Sequence, residues 1–360
     1  MDKFKIGPWP LGIDTLSSEI GLPKGTCRDL KDGDVDRSGD YSRRNGYVKL
    51  DDLVEGSGLW TSKATGRCYC AANGVLYRLR LTPSYNITAL GLLGSSDRPS
   101  FCDLLDKTVV STVAGNFLLD RDDAMVPLGV DAPSTPIALA DTSGGLAEGR
   151  YGVAYTFMRG EEESPLSPIR FVQVPQGGGV LLELPTPVDN TVTHIRTYRT
   201  TTNGDVVYAA ETVVVGVPDY VLGNSSLGRQ SDTIYKAKIR GGQIVRYWRG
   251  RLFVVRGRVV YFSDAMRYGL CDARHGFLQF QAPITLFQPT EGGIYIGDES
   301  GVTYLAGSGP SDWRNIKVTS SPPVFGTGTT LACGELGEEL QDAANGFDVA
   351  LWQAAEGFVI

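Results

Sequence analysis

The stretch Gly250-Arg-Leu-Phe-Val-Val-Arg-Gly257-Arg-Val-Val-Tyr-Phe262 reads as two β-prone runs joined by a tight turn. Val, Phe and Tyr fit a pleated, half-buried surface, and glycine supplies the positive φ that a two-residue hairpin turn requires. The same pattern recurs along the chain. It appears as Gly66-Arg-Cys-Tyr-Cys-Ala-Ala-Asn-Gly74-Val-Leu-Tyr-Arg-Leu79 and as Lys107-Thr-Val-Val-Ser-Thr-Val-Ala-Gly115-Asn-Phe-Leu-Leu119. It appears again as Gly293-Ile-Tyr-Ile-Gly-Asp-Glu-Ser-Gly301-Val-Thr-Tyr-Leu305, and in degraded form from Phe347 to Ile360. A unit of about 35–50 residues, a hairpin with its flanking strands, has the size of a propeller blade. An ordinary sandwich or a chain of meanders would use the same turns; the recurrence favours a propeller-like array.

Between the second and third copies the texture changes. A proline-rich run, Ala132-Pro-Ser-Thr-Pro136, opens a segment containing Gly149–Phe157, Ile169–Val174, Val180–Leu184, Val192–Arg199 and Val206–Ala210, all strand-like. In the first of these, Tyr151, Val153, Tyr155 and Phe157 alternate with small or polar residues, so one apolar face and one small or polar face are expected. The segment has the size of an immunoglobulin or fibronectin III-like sandwich. The expected organisation is all-β: an N-terminal arm with first strands (1–53), propeller blades (54–130), an inserted β-sandwich (131–218) and further blades (219–360).

Composition agrees with many turns between short strands: 45 Gly and 19 Pro in 360 residues, dispersed, with 42% hydrophobic content. The net charge of −7 argues against a general nucleic-acid binder, which needs a basic footprint. The N-terminus lacks the apolar core of a signal peptide and no apolar run has the length of a membrane span, so cytoplasmic synthesis is expected. The six cysteines are too sparse for a disulfide framework and are expected as buried or half-buried free thiols.

Catalytic signatures are missing. There is no G-x-S-x-G, P-loop, H-E-x-x-H or paired C-x-x-C. Only two histidines exist, His194 and His275, so neither a catalytic residue nor a metal site nor a cofactor is assigned. Cys271 with His275 is a remote nucleophile–base pairing. Glu161-Glu-Glu163 reads as an exposed loop between strands, and Gly33-Asp-Val-Asp-Arg-Ser-Gly39 as a solvated turn, since it lacks the twelfth-position Glu of a calcium loop. A pair of carboxylates in a β cleft would make a glycosidase, a distant third reading.

Charge is concentrated in one place. Between Arg240 and Arg274 lie eight arginines and only two acids, Asp264 and Asp272. The run Arg246-Tyr-Trp-Arg-Gly-Arg251 interleaves arginine with aromatics, as protein interfaces and single-strand nucleic-acid platforms do. Arg246, Trp248, Arg249, Arg251, Arg256 and Arg258 are therefore the candidate subunit or adaptor interface. Acidic residues after Asp298, namely Glu335, Glu338, Glu339, Asp342 and Asp348, would meet that face in a head-to-tail ring. A solvated charge asymmetry is the plain alternative.

The N-terminal run Trp9-Pro-Leu-Gly-Ile-Asp-Thr-Leu-Ser-Ser18, followed by Leu22-Pro-Lys-Gly-Thr-Cys-Arg-Asp-Leu30, Asp34-Val-Asp36 and Ser42-Arg-Arg-Asn-Gly-Tyr47, resembles the opening of phage and prophage tail proteins. Leu227-Gly-Arg229, Gly242–Phe253, Tyr261-Phe-Ser263, Arg267-Tyr-Gly-Leu270 and Gly276-Phe-Leu-Gln-Phe280 are similar to the same group. Asn45 and Asp34 depart from it, standing where many relatives have proline and asparagine. The family is the tail nozzle, or tail hub, of short-tailed bacteriophages. The resemblance implies a structural virion protein in the tail, assembled in the host cytoplasm and not an enzyme. It implies a homo-oligomeric ring, a hexamer, below the portal and its adaptor (the head-to-tail connector), holding tail fibres or a needle. Double-stranded DNA would pass through it without sequence-specific binding. The run ends at Ile360 in mid-strand where such relatives usually continue, so a last blade that is incomplete, closed by a neighbouring subunit, or absent is expected. The alternative is a peripheral tail module that binds a host-surface receptor or glycan.

Overall fold

The structure is a computed structural model and describes residues 9–14, 17, 21–28, 31, 33–35, 38, 40–43, 56–80, 84–335 and 347–360. Asp36, Arg44, Asn45 and Tyr47 of the tail-protein resemblance lie outside them, as do the acidic residues Glu338, Glu339 and Asp342. The chain divides into two compact units, Met1–Leu53 and Val54–Ile360. In the first, Gly33–Val35 pairs antiparallel with Tyr41–Arg43.

The second unit is all-β. Its one helical turn among the described residues is Cys333–Glu335. Five antiparallel meanders, here sheets 1 to 5, repeat one plan in which each strand pairs with the next along the chain, except that in sheet 3 Leu270–Asp272 intervenes before the last strand and pairs instead with Lys236–Lys238. Sheet 1 is Gly56–Thr61, Cys68–Ala72, Val75–Arg80 and Asn86–Leu92. Sheet 2 is Ser100–Leu104, Lys107–Thr112, Gly115–Leu119 and Met125–Pro127. Sheet 3 is Ile244–Trp248, Arg251–Arg256, Val259–Phe262 and Phe277–Gln279. Sheet 4 is Leu286–Pro289, Gly293–Asp298, Gly301–Ala306 and Arg314–Thr319. Sheet 5 has three strands, Thr329–Leu331, Val349–Ala354 and Gly357–Val359.

The turns explain the meanders. Ala72 pairs with Val75 across Asn73-Gly74, and Trp248 with Arg251 across Arg249-Gly250. Both central residues have positive φ in each case: 50° and 73° in the first, 45° and 75° in the second. That geometry matches the right-handed twist of the strands it joins. Arg249 occupies a position that Asn usually takes.

Successive sheets bury their faces on one another. Tyr69 and Leu76 of sheet 1 share a core with Phe101 and Val110 of sheet 2. Cys102 and Val109 of sheet 2 pack with Leu252 and Val254 of sheet 3. Phe253 and Val260 of sheet 3 meet Phe287 and Ile296 of sheet 4. Leu286 and Val302 of sheet 4 meet Ala350 and Trp352 of sheet 5. Face-to-face stacking of small meanders is the plan of a β-propeller.

Between sheets 2 and 3 the chain forms a body of two sheets. The smaller has the order Ile137–Asp141, Gly179–Glu183, Asp219–Leu222. The larger is centred on Gly149–Arg159, which pairs with His194–Thr200 on one side and with Arg170–Val174 and Glu162–Glu163 on the other. Val207–Val214 extends it beyond His194–Thr200. The body continues past Pro218, because Asp219–Leu222 completes the smaller sheet.

Tyr151, Val153, Tyr155 and Phe157 enter the core between the two sheets, with Val180, Leu182 and Ile195. The other face of the same strand, expected to be small or polar, is buried as well. Ala154 packs with Tyr198, Val207, Leu166 and Ile169. The segment after Glu163 returns over that face: Ser164 and Ser167 donate their hydroxyls to the Pro165 and Pro168 carbonyls and accept the backbone N–H groups of Phe157 and Tyr155.

Candidate functional site

The first strands of sheets 1 to 4 and the run entering sheet 5 converge on one cavity of about 180 Å³. Its walls take Trp60 from sheet 1, Phe101 from sheet 2, Ile244 and Arg246 from sheet 3, Phe287 from sheet 4 and Gly328 before sheet 5. Trp60 and Phe101 stack with their rings 3° from parallel and centroids 6.1 Å apart. The sheets direct their first strands to a common axis, so residues far apart in sequence share the lining.

The polar groups at this axis are few. Ser100 Oγ accepts the Val245 N–H at 3.0 Å and Gln243 Oε1 accepts the Gly257 N–H at 3.1 Å. Arg98 also lines the cavity; a Cβ added to Gly326 would come within 3.3 Å of its Nη1. Arg98 is exposed and, among the described residues, has neither a hydrogen-bond nor an ion-pair partner. Arg246 donates from Nη1 to its own residue's neighbour, the Val245 carbonyl, at 2.9 Å. Burial holds the Arg246 guanidinium below the usual arginine range. The buried Trp60 indole N–H has no acceptor among the described residues. Among the described residues, no Asp or Glu lines the cavity.

The six arginine and tryptophan positions expected as one interface occupy three separate places. Arg246 is at the axis. Trp248 is buried and donates its indole N–H to the Thr290 carbonyl at 2.7 Å, tying sheet 3 to sheet 4. Arg249 and Arg251 flank one end of the central hairpin of sheet 3, where Arg249 Nη2 donates to the Glu291 carbonyl and Arg251 Nη1 to the Ser263 carbonyl, each at 2.6 Å. Arg256 and Arg258 lie at the opposite end. A strand rises about 3.3 Å per residue, so the two ends are some 15 Å apart. Arg256 reaches back to the Val113 and Gly241 carbonyls, joining sheets 2 and 3. Of the six, Arg258 alone is exposed with no side-chain partner among the described residues.

Glu163 is the functional-looking residue that the sequence concealed. Glu161 is exposed, as a loop acid should be, but Glu163 is 4% exposed and collects four partners. It accepts from Thr156 Oγ1 at 2.7 Å, from the Tyr198 hydroxyl, and from Arg196 Nη1 at 2.9 Å, with Arg229 Nη2 at 3.5 Å. Burial, then the adjoining Glu163 carboxylate, pushes the Tyr198 hydroxyl well above its usual range. Arg229 continues to Asp232 at 3.4 Å, and Asp232 to Arg267 at 3.2 Å, so the chain of charges runs from the body to the connection between the last two strands of sheet 3. Every carboxylate in it is matched, which describes a fastening and leaves no spare base or acid.

Cys271 and His275 do not form a nucleophile–base pair. Cys271 is buried, and desolvation pushes its thiol up to about 11. His275 is exposed and lies beside Asp272, whose Oδ1 accepts the His275 backbone N–H at 3.1 Å. Cys70 and Cys102 are likewise buried, and Cys27, Cys68 and Cys333 half-buried. No cluster of three His, Cys, Asp or Glu side chains able to hold a metal ion occurs among the described residues. Among the described residues, no helix is long and apolar enough to cross a membrane.

No protein-family model matches the chain, and no curated protein matches it. Solved structures give distant likenesses. A chain of the mitotic checkpoint complex has 12% identity over 77% of this chain and 83% of that one, with a TM-score of 0.22. The AfRom2 CNH domain has 7% identity, covering 88% and 85%, with a TM-score of 0.28. Hsv2 of Kluyvelomyces marxianus has 10% identity, covering 80% and 69%, with a TM-score of 0.25. Strand pairing and the cores between successive sheets make the array propeller-like.

Proposed function

We propose that this chain is a structural subunit of the tail of a short-tailed bacteriophage, a nozzle or hub protein that assembles into a homohexameric ring below the portal adaptor, carries fibres or a needle and lets DNA pass. The tail-protein motifs suggest the particle; one structural observation supports the mechanical role. The two-sheet body is fastened to the propeller-like array at several points. Besides the Glu163 charge chain, Arg159 Nη2 donates to the Pro127 carbonyl at 2.7 Å, Lys238 pairs with Asp131 at 3.0 Å, and the Leu166 N–H donates to the Thr233 carbonyl at 3.3 Å. A load-bearing ring subunit needs such fixed geometry, whereas a receptor-binding module works equally well on a loose tether.

In this reading the body is an immunoglobulin or fibronectin III-like insertion. The chain alternates between the small and large sheets in the Greek-key manner of such domains. One departure is that its last strand, Asp219–Leu222, adds to the smaller sheet at the edge away from Ile137–Asp141.

The deciding measurement is the mass of the purified full chain in solution, alone and mixed with an adaptor ring from a short-tailed phage, followed by negative-stain imaging. A ring of about six copies with a hole of roughly 20 Å, enough for duplex DNA, supports the nozzle. A strict monomer under both conditions, together with saturable binding to host glycan, overturns it in favour of the peripheral receptor-binding module. Arg258→Glu is the interface probe of choice, because Arg249 and Arg251 already serve bonds within and between the sheets.

A further inference from the structure

We propose that the axial cavity is a binding site for a small anion, a carboxylate or phosphate group. The chain as a whole is acidic, at −7, yet among the described residues the cavity has two arginines and no acid in its lining. Arg246 is half-buried among Ile244, Phe101 and Phe287, and its described partner is a single backbone carbonyl. A guanidinium removed from water without a counter-charge is costly, and proteins ordinarily match it with a carboxylate or phosphate. Elsewhere Glu163 has Arg196 and Lys236 has Asp264 at 2.9 Å, while the buried Arg199, like Arg246, is met by backbone carbonyls. What sets Arg246 apart is its place in the lining of a cavity open to a ligand.

Arg98 adds the second charge. It stands in the connection between sheets 1 and 2, on the same lining, with its planar fork of donors uncommitted. Two guanidinium groups at one cavity offer charge-assisted, bidentate hydrogen bonds to the oxygens of an anion. The remaining walls are aromatic: Trp60 and Phe101 stack, and Phe287 and Phe325 complete the lining. An anionic head on a compact apolar or aromatic body fits this combination, as does a bare phosphate that uses the arginines alone.

The test uses the full chain in a chloride-poor buffer, titrated with sodium phosphate, sodium benzoate and uncharged benzamide. Calorimetry and tryptophan fluorescence follow binding, the latter because Trp60 forms part of the wall. Saturable one-to-one binding of phosphate or benzoate, with none of benzamide, is expected. Arg98→Gln and Arg246→Gln should each weaken it at least tenfold. Binding of phosphate alone assigns the site to phosphoryl groups; binding of benzoate alone assigns it to carboxylates on an apolar body. Absence of binding by both anions, or unchanged affinity in Arg98→Gln, overturns the proposal. Arg98 is exposed, so its substitution keeps the test valid even where Arg246→Gln fails to fold.

Discussion

Replacing Glu163 with Gln would retain the shape of the side chain while leaving Arg196 facing a neutral amide. Breaking a buried pair from one side costs about 3–5 kcal/mol; Arg196 keeps a quarter of its side chain exposed, so about 2–3 kcal/mol is expected for E163Q in urea unfolding. Arg229→Ala should cost less than about 1 kcal/mol, because its side chain is 61% exposed and solvent screens the pair. Cys102 and Cys271 give a second test. Burial pushes their thiols up to about 12 and about 11. A folded pKa above the unfolded value of about 8.5 means that the unfolded chain loses its protons first. The stability associated with both thiols is therefore full below pH ~8.5 and is lost as pH rises toward their folded values. Unfolding followed from pH 7 to 10 should show that fall, and Cys102→Ala with Cys271→Ala should flatten it. At this scale the sequence was a poor guide to Glu163. Three successive glutamates look solvated, and only the partners from Tyr198, Arg196 and Arg229, more than thirty residues away, identify the third as buried.

At the scale of a strand or turn, hairpins were legible because their information is local. Asn73-Gly74 and Gly257-Arg258 carry glycine where positive φ is needed, and apolar residues flank each turn. Gly74 has φ of 73°, and a Cβ there would meet the Ser95 carbonyl oxygen at 3.2 Å. Gly74→Ala should lower stability by about 1–2 kcal/mol, read as a shift of the urea midpoint at constant slope. Phe253 tests the packing between sheets. Its ring meets Trp248, Phe262, Phe287 and Trp313 at centroid distances of 5.5–6.2 Å, spanning sheets 3 and 4 and the loop before Arg314. Phe253→Ala should cost about 3–5 kcal/mol. The arginine cluster shows what local reading lacks. Closeness along the chain suggested one patch, but an extended strand carries Arg251 and Arg256 to opposite ends of a sheet. The axial cavity was hidden for the converse reason, since Trp60, Arg98, Arg246 and Phe287 come together only after four sheets have stacked.

For the whole molecule, the body and the propeller-like array share fastenings, so they should unfold together. Arg159 is the most economical place to separate them: its side chain is 15% exposed, pairs with Glu162 at 2.5 Å and Asp189 at 3.5 Å, and bonds the Pro127 carbonyl. Calorimetry of the full chain should give one transition, and Arg159→Ala should split or broaden it. A single unbroadened transition in the variant would mean that the remaining contacts suffice.

The side-by-side exit and return of the inserted body has a consequence in time. The chain leaves sheet 2 at Leu128 and returns at Ile239, and both residues belong to the core that sheets 2 and 3 share. A ribosome completes sheet 2 long before it begins sheet 3. The roughly hundred residues between them take on the order of ten seconds at ~5–20 residues per second. Throughout that interval Cys102, Leu104 and Val109 have no Leu252 or Val254 to cover them. The nascent chain thus carries a sticky flank for seconds. Its yield in the cell depends on how well that flank is shielded as much as on the stability of the finished fold.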